Sequence, residues 1–194
     1  GLALHAFGYY ALVLALVARR SPRAFFAGAS DAIVTALSCG SSLATLPVTL
    51  RCLDKLGVSP GSARLAACVG TNLNHDGIIL YEATAAIFMT QAFGHALSLP
   101  QQVGVALASV MAGVGIAGVP EAGLITLPLV LGAAGMPAET AALVVPLVLP
   151  VDWIIGRGRA MTNVLSDMTV AAVLDRVAPD EAPALATEQG PYRD

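Results

Sequence analysis

Five residues near the C-terminal end, Asp152, Gly156, Arg159, Asn163 and Asp167, follow one another at three- and four-residue intervals. On an α-helix this spacing gathers them within an arc of about 80°. A guanidinium held on such a face offers a planar, bidentate grip on a carboxylate. Arg159 is therefore the candidate anchor of a substrate carboxylate, with Asp152 the partner that fixes it; an Arg and Asp pair that merely locks two helices is the plainer alternative. Arg157 projects roughly 160° away and reads as an interface or water-facing charge. Asn74, Asp76, Asn163 and Asp167 offer oxygen donors of the kind that suit a hard cation. Cys39, Cys52 and Cys68 match neither a CxxC motif nor a disulfide framework, and are read as small packing residues.

Two stretches of small residues supply a second kind of chemistry. Cys39 to Ser42 and Gly115 to Val119 each join two apolar segments. Free N–H groups at the start of a helix attract anions. Ser41, Ser42 and the backbone at Gly118 and Val119 are thus candidates for holding a second carboxylate. Taken singly, each stretch is a plain turn; paired around a polar centre, they make a site.

The chain is 56% hydrophobic and only 12% charged, with 19 Gly and 12 Pro residues. That balance is too apolar for a soluble domain and points to a bilayer, with helices that are often bent or broken. A net charge of -3 gives no sign of a nucleic-acid partner. The apolar run from Leu2 to Val17 has no basic residue before it, unlike a signal peptide, and is expected to be a helix already under way at Gly1.

A spanning helix needs about 20 apolar residues. The segments 24–38 and 43–56 are shorter, as are 101–114 and 120–135, so each pair is expected to form a helical hairpin that enters the membrane and returns. Between them, the segment 63–93 is long enough to cross but carries Asn72, Asn74, His75, Asp76 and Gly77 at its middle, where unpaired polar groups are costly; it is expected to unwind there. The expected order is the tail of a spanning helix over 1–18, a first hairpin over 19–60, a broken helix over 61–94, a second hairpin over 95–138, a last helix over 139–178 and a disordered cytoplasmic tail over 179–194. Arg19, Arg20, Arg23, Arg51, Lys55, Arg64 and Arg176 fall on one side of this path, which makes that side cytoplasmic. The first hairpin then opens to the cytoplasm and the second to the outside. Hairpin, broken helix, hairpin and polar helix make an inverted repeat, the architecture of many secondary transporters. The expected fold is an all-α membrane protein.

Four motifs resemble those of the dicarboxylate/amino acid:cation symporter family, which includes glutamate transporters. Ser41-Ser42-Leu43-Ala44-Thr45-Leu46-Pro47-Val48-Thr49 is similar to the family's SSSATLPxT tip. Thr71 through Ile78 resembles its NMDGT break, Gly115 through Gly123 its second tip, and Arg159 through Asp167 its RxxxNxxxD helix. The resemblance covers roughly residues 1 to 178. It implies a glutamate transporter-like transport domain working by an elevator type of alternating access. It also implies scaffold helices outside this sequence that form a homotrimer, and a place in the plasma membrane, the inner membrane in a bacterium, as a multi-pass protein.

The resemblance further implies that Arg159, fixed by Asp152, holds the substrate, with Asn163 a candidate substrate contact as well, and that Asn74, Asn163 and Asp167 with backbone carbonyls including Gly70 form a sodium site. Asp76 with Asn74 serves another. Sodium is the implied coupling ion, with no resident cofactor. Three residues before Arg159, amino-acid-transporting members carry an Asp that receives the ammonium group, and here stands Gly156. The expected substrate is therefore a small dicarboxylate such as succinate, fumarate or malate, with an acidic amino acid as the alternative. His75 replaces the motif's Met, so His75 is a candidate proton site and a proton-coupled carrier is a further alternative. A degenerate homologue that no longer transports is the last. An enzyme is not expected: Ser166 beside Asp167 has no base placed to activate it.

Overall fold

Glycine and proline punctuate this chain, and several helices begin or end beside them, as at Pro22, Gly40, Pro60 and Pro137. In the computed structural model, which describes residues 1–178, every regular element is helical among the described residues. The expected tail over 179–194 lies outside the described residues. The chain opens with α1 (Leu2–Leu4), a π-helical turn over His5–Tyr9, and α2 (Tyr10–Leu16). Ser21 accepts a hydrogen bond from the Ala24 N–H and Pro22 sets the first turn of α3 (Pro22–Gly28). The arm expected as one helix over 24–38 is divided at Ala29, after which α4 runs over Ser30–Cys39. Gly40, at φ 66°, turns the chain in the left-handed region where a side chain is disfavoured. Ser41 then caps α5 (Ser42–Lys55) by accepting from the Ala44 N–H at 3.1 Å.

Next come α6 (Pro60–Leu73) and α7 (Asp76–Ala92), interrupted only at Asn74 and His75. The break is narrower than the polar run suggests, because Asn74 N–H still closes a helical turn on the Gly70 carbonyl at 2.8 Å. After it, α8 (Leu99–Val114) starts on a Ser98 and Gln101 capping pair, and α9 (Ala122–Ala133) returns beside it. The last helix, α10, runs 40 residues over Ala138–Val177.

Burial separates these helices into two apolar cores. One joins α2 to α6 with Met161, Val164, Leu165 and Met168 of α10, around Tyr10, Phe25 and Leu53. The other joins α7, α8 and α9 with Ala141 and Val144 of α10, around Leu127, Val130 and Leu131. The segment of α10 between them carries Asp152 and Arg159, both buried. At the far end, Asp175 accepts from the Ser59 N–H at 2.8 Å and from Arg20 at 2.7 Å, while Arg20 also donates to the Leu56 carbonyl. This clasp ties the α2–α3 link, the α5–α6 link and the end of α10 together.

The outside is apolar. Leu4, Leu16, Met111, Ile125 and Leu129 are all more than two-thirds exposed, a surface that suits hydrocarbon and not water. By length and composition α10 suffices to cross a membrane, whereas α8 and α9 are apolar but shorter.

Candidate functional site

Arg159 lies where α10 passes between the two cores, and its guanidinium is almost wholly buried. Nη2 donates to Asp152 Oδ2 at 2.7 Å, and the Tyr81 ring covers the guanidinium carbon at 4.2 Å. The opposite nitrogen, Nη1, is buried with no hydrogen-bond partner. An unpaired donor on a buried cation costs the full desolvation of that group unless a ligand or water meets it.

The space beside it is a cavity of about 10 Å³, room for one water, lined by Ser42, Gly118, Gly123, Gly156, Arg159 and Asn163 among others. The Ser42 hydroxyl is also buried without a partner. Two unsatisfied donors, one of them charged, therefore belong to one cavity. That combination accepts an anion or a water.

The tips of the two hairpins close this cavity. Ser41 Oγ donates to the Gly118 carbonyl at 2.6 Å, and the Leu43 N–H donates to the same oxygen at 3.1 Å. Glycine is required for the approach: a methyl at Gly118 would overlap the Ser42 hydroxyl and stand 3.1 Å from the Thr71 carbonyl. Gly118→Ala is accordingly expected to hold the tips apart and weaken anion binding at least tenfold, measured by titration calorimetry on the full-length protein. Val119, 40% exposed, also lines the cavity. Glu121 sits at φ 60°, strained for a residue with a side chain, at the start of α9.

A second cluster lies on the other side of the helix break. Asn74 Nδ2 donates to Asp167 Oδ1 at 3.0 Å and to Ser166 Oγ at 2.8 Å. Ser166 in turn donates to Asp76 Oδ2 at 2.8 Å, as does the Tyr10 hydroxyl at 2.9 Å, with His5 Nε2 at 3.5 Å from the same oxygen. Asp167 packs directly on the Gly70 backbone. Gly70 itself stands in the last turn of α6 and not in the unwound segment, and its carbonyl holds the Asn74 N–H. Asn163 faces this neighbourhood from α10, its Oδ1 accepting from the Gly77 N–H at 2.8 Å. Two carboxylates within one hydrogen-bonded network, rich in further oxygens, form a place where a hard monovalent cation would relieve repulsion.

Sequence reasoning missed Tyr10, His5 and Ser166 as partners of Asp76, and Tyr81 as the cover of Arg159. It offers no role for Glu82. Glu82 is fully buried, accepts a hydrogen bond from the Thr126 hydroxyl, and keeps its second oxygen unpaired. An acidic residue inside an otherwise apolar run was the available signal.

The family described as "Sodium:dicarboxylate symporter family" matches residues 1–177. Excitatory amino acid transporter 4 of Mus musculus is 43% identical over 182 residues, covering 93% of this chain and 32% of that protein. Excitatory amino acid transporter 3 of the same species is 41% identical, covering 93% of this chain and 34% of that protein. Excitatory amino acid transporter 2 of Homo sapiens is 39% identical over 195 residues, covering 100% of this chain and 33% of that protein. The chain spans about a third of the length of these curated relatives.

Proposed function

Because this chain belongs to the sodium:dicarboxylate symporter family, we propose that it is the solute-holding part of a sodium-coupled symporter for an acidic amino acid. The observation that carries this reading is the buried Nη1 of Arg159, unpartnered among the described residues, sharing a small cavity with the Ser42 hydroxyl. A solute carboxylate on Nη1 would satisfy the buried donor and gain a charge-assisted bond. Asp152 Oδ1, buried and without a partner, is the acceptor left beside the guanidinium for an ammonium group. The excitatory amino acid transporters among the relatives support the same substrate class. Sodium is held by the cluster of Asn74, Asp76, Asn163 and Asp167. The tips at Ser41 and Gly118 part to admit the solute, the first hairpin toward the cytoplasm and the second toward the outside. Solute and cation then cross together as the domain moves against scaffold helices of a trimer in the plasma membrane.

Gly156 favours a second reading. It places no side chain next to the guanidinium, where an added Cβ would stand 3.1 Å from Nη2. A dicarboxylate without an amino group, such as succinate, needs no acceptor there.

Thermal unfolding of the full-length protein in detergent tests the proposal. At a hundred times its dissociation constant a ligand stabilises by about 2.7 kcal/mol. Aspartate or glutamate should raise the melting temperature in sodium and not in choline; no effect of either solute in sodium would contradict the reading. Gly156→Asp is expected to shift preference toward aspartate over succinate by at least tenfold, read by competition in the same assay, because it supplies a carboxylate to meet the ammonium.

A further inference from the structure

The imidazole of His75 is completely buried at the helix break, between the ends of two helices. Nδ1 lies 2.9 Å from the Gly113 carbonyl, and Nε2 lies 3.1 Å from the Thr71 carbonyl. Gly113 is in the last turn of α8 and Thr71 in the last turn of α6. The last carbonyls of a helix have no partner within it and must find one outside. The contact to Thr71 is local, made within four residues of the same segment. That to Gly113 joins elements 38 residues apart. The backbone of α8 comes close to α7 at this point, since a methyl at Gly113 would collide with the Ile79 side chain. One residue beyond Val114 begins the tip that meets Ser41 and Leu43 through the Gly118 carbonyl.

We propose that His75 is the positioning residue of the second hairpin: its Nδ1–H holds the Gly113 carbonyl, and so fixes the root of the tip that closes over the Arg159 cavity. Both ring nitrogens face carbonyl oxygens, and it is a proton on Nδ1 that makes the bond between the elements. The tip beyond residue 114 meets the first hairpin through the Gly118 carbonyl and stands close to Thr71 of α6, so the angle at which it leaves α8 helps to decide whether Gly118 reaches Ser41. Loss of the tether populates open tips, and a solute that binds only under closed tips then binds more weakly by the lost fraction of the closed state. The inference rests on the symport reading only in calling the tip a gate.

The test uses the full-length protein and three variants. Asparagine places an amide nitrogen near the position of Nδ1, glutamine one near that of Nε2, and leucine neither. Hydrogen exchange followed by mass spectrometry over residues 114–121 in sodium without solute reads the tether directly. His75→Leu is expected to speed exchange there about tenfold and to raise the uptake KM for the solute about tenfold, with the maximal rate within twofold and exchange over 10–16 unchanged. His75→Asn should restore both quantities and His75→Gln neither. Equal behaviour of the Asn and Gln variants would overturn the proposal, even if the Leu variant does not fold. So would unchanged exchange in the Leu variant, or faster exchange throughout the chain. A wild-type protein without sodium-driven uptake would sink the symport reading instead, while the exchange pattern alone still decides the role of His75.

Discussion

Arg159→Ala is expected to reduce solute uptake by the full-length protein more than a hundredfold. Truncation removes the only charged donor, among the described residues, that lines the cavity with a free hydrogen-bonding position, so the solute carboxylate loses its anchor. It also strands Asp152, whose carboxylate is buried and has the guanidinium as its partner at 2.7 Å. Removing one member of a buried charge pair costs about 3 to 5 kcal/mol, and each 1.4 kcal/mol is worth tenfold in affinity. Because part of that cost falls on stability, Arg159→Lys separates the two roles. Lysine keeps the positive charge near Asp152 and loses the planar fork that reaches both Asp152 and a ligand at once. The lysine variant should therefore retain a near wild-type melting temperature and still lose uptake by at least tenfold, measured in proteoliposomes beside the alanine variant.

Asp167→Asn is expected to raise the sodium concentration for half-maximal solute binding by at least tenfold. The substitution preserves shape and leaves a carbonyl oxygen to accept from Asn74 Nδ2, the bond now made at 3.0 Å. What it removes is an ionisable carboxyl, itself buried, from a part-buried cluster that also holds Asp76. In a poorly solvated site its charge is the main attraction for a cation. Asp175→Asn is the matching control. It breaks the clasp with Arg20 and Ser59 at the end of α10 and so lowers stability, while sodium dependence is unchanged. Sodium titrations of solute-dependent fluorescence or calorimetry on the three proteins check both statements.

Much of this arrangement is legible because it is written in short-range spacing. The stripe of Asp152, Arg159, Asn163 and Asp167 follows helical periodicity, and the structure sets Arg159 against Asp152 accordingly. An all-α membrane fold follows from an apolar composition broken by glycine, proline and isolated polar runs. The extent of the break was not legible: polarity spreads from Asn72 to Gly77, yet only Asn74 and His75 leave the helix, because backbone bonds persist wherever a neighbouring carbonyl is in reach. Division of the first arm at Ala29 went unread although Gly28, the last residue of α3, marks it, because a single glycine within an apolar run is also tolerated inside a helix. Partners across long stretches were the least readable. Tyr10 and His5 meet Asp76 across 66 and 71 residues, and Thr126 meets Glu82 across 44. Each is a lone polar residue on an apolar helix, and only packing selects its partner. Gly118 and Ser42 were legible as tips, but their direct contact depends on how two hairpins converge, which no local pattern encodes.

Uptake of labelled aspartate into proteoliposomes containing the full-length protein, with and without an inward sodium gradient, tests the central claim most directly. The account predicts accumulation above the external concentration that requires the sodium gradient and collapses when the gradient is dissipated. Equal uptake in the presence and absence of the gradient, or accumulation driven by a proton gradient alone, would contradict it.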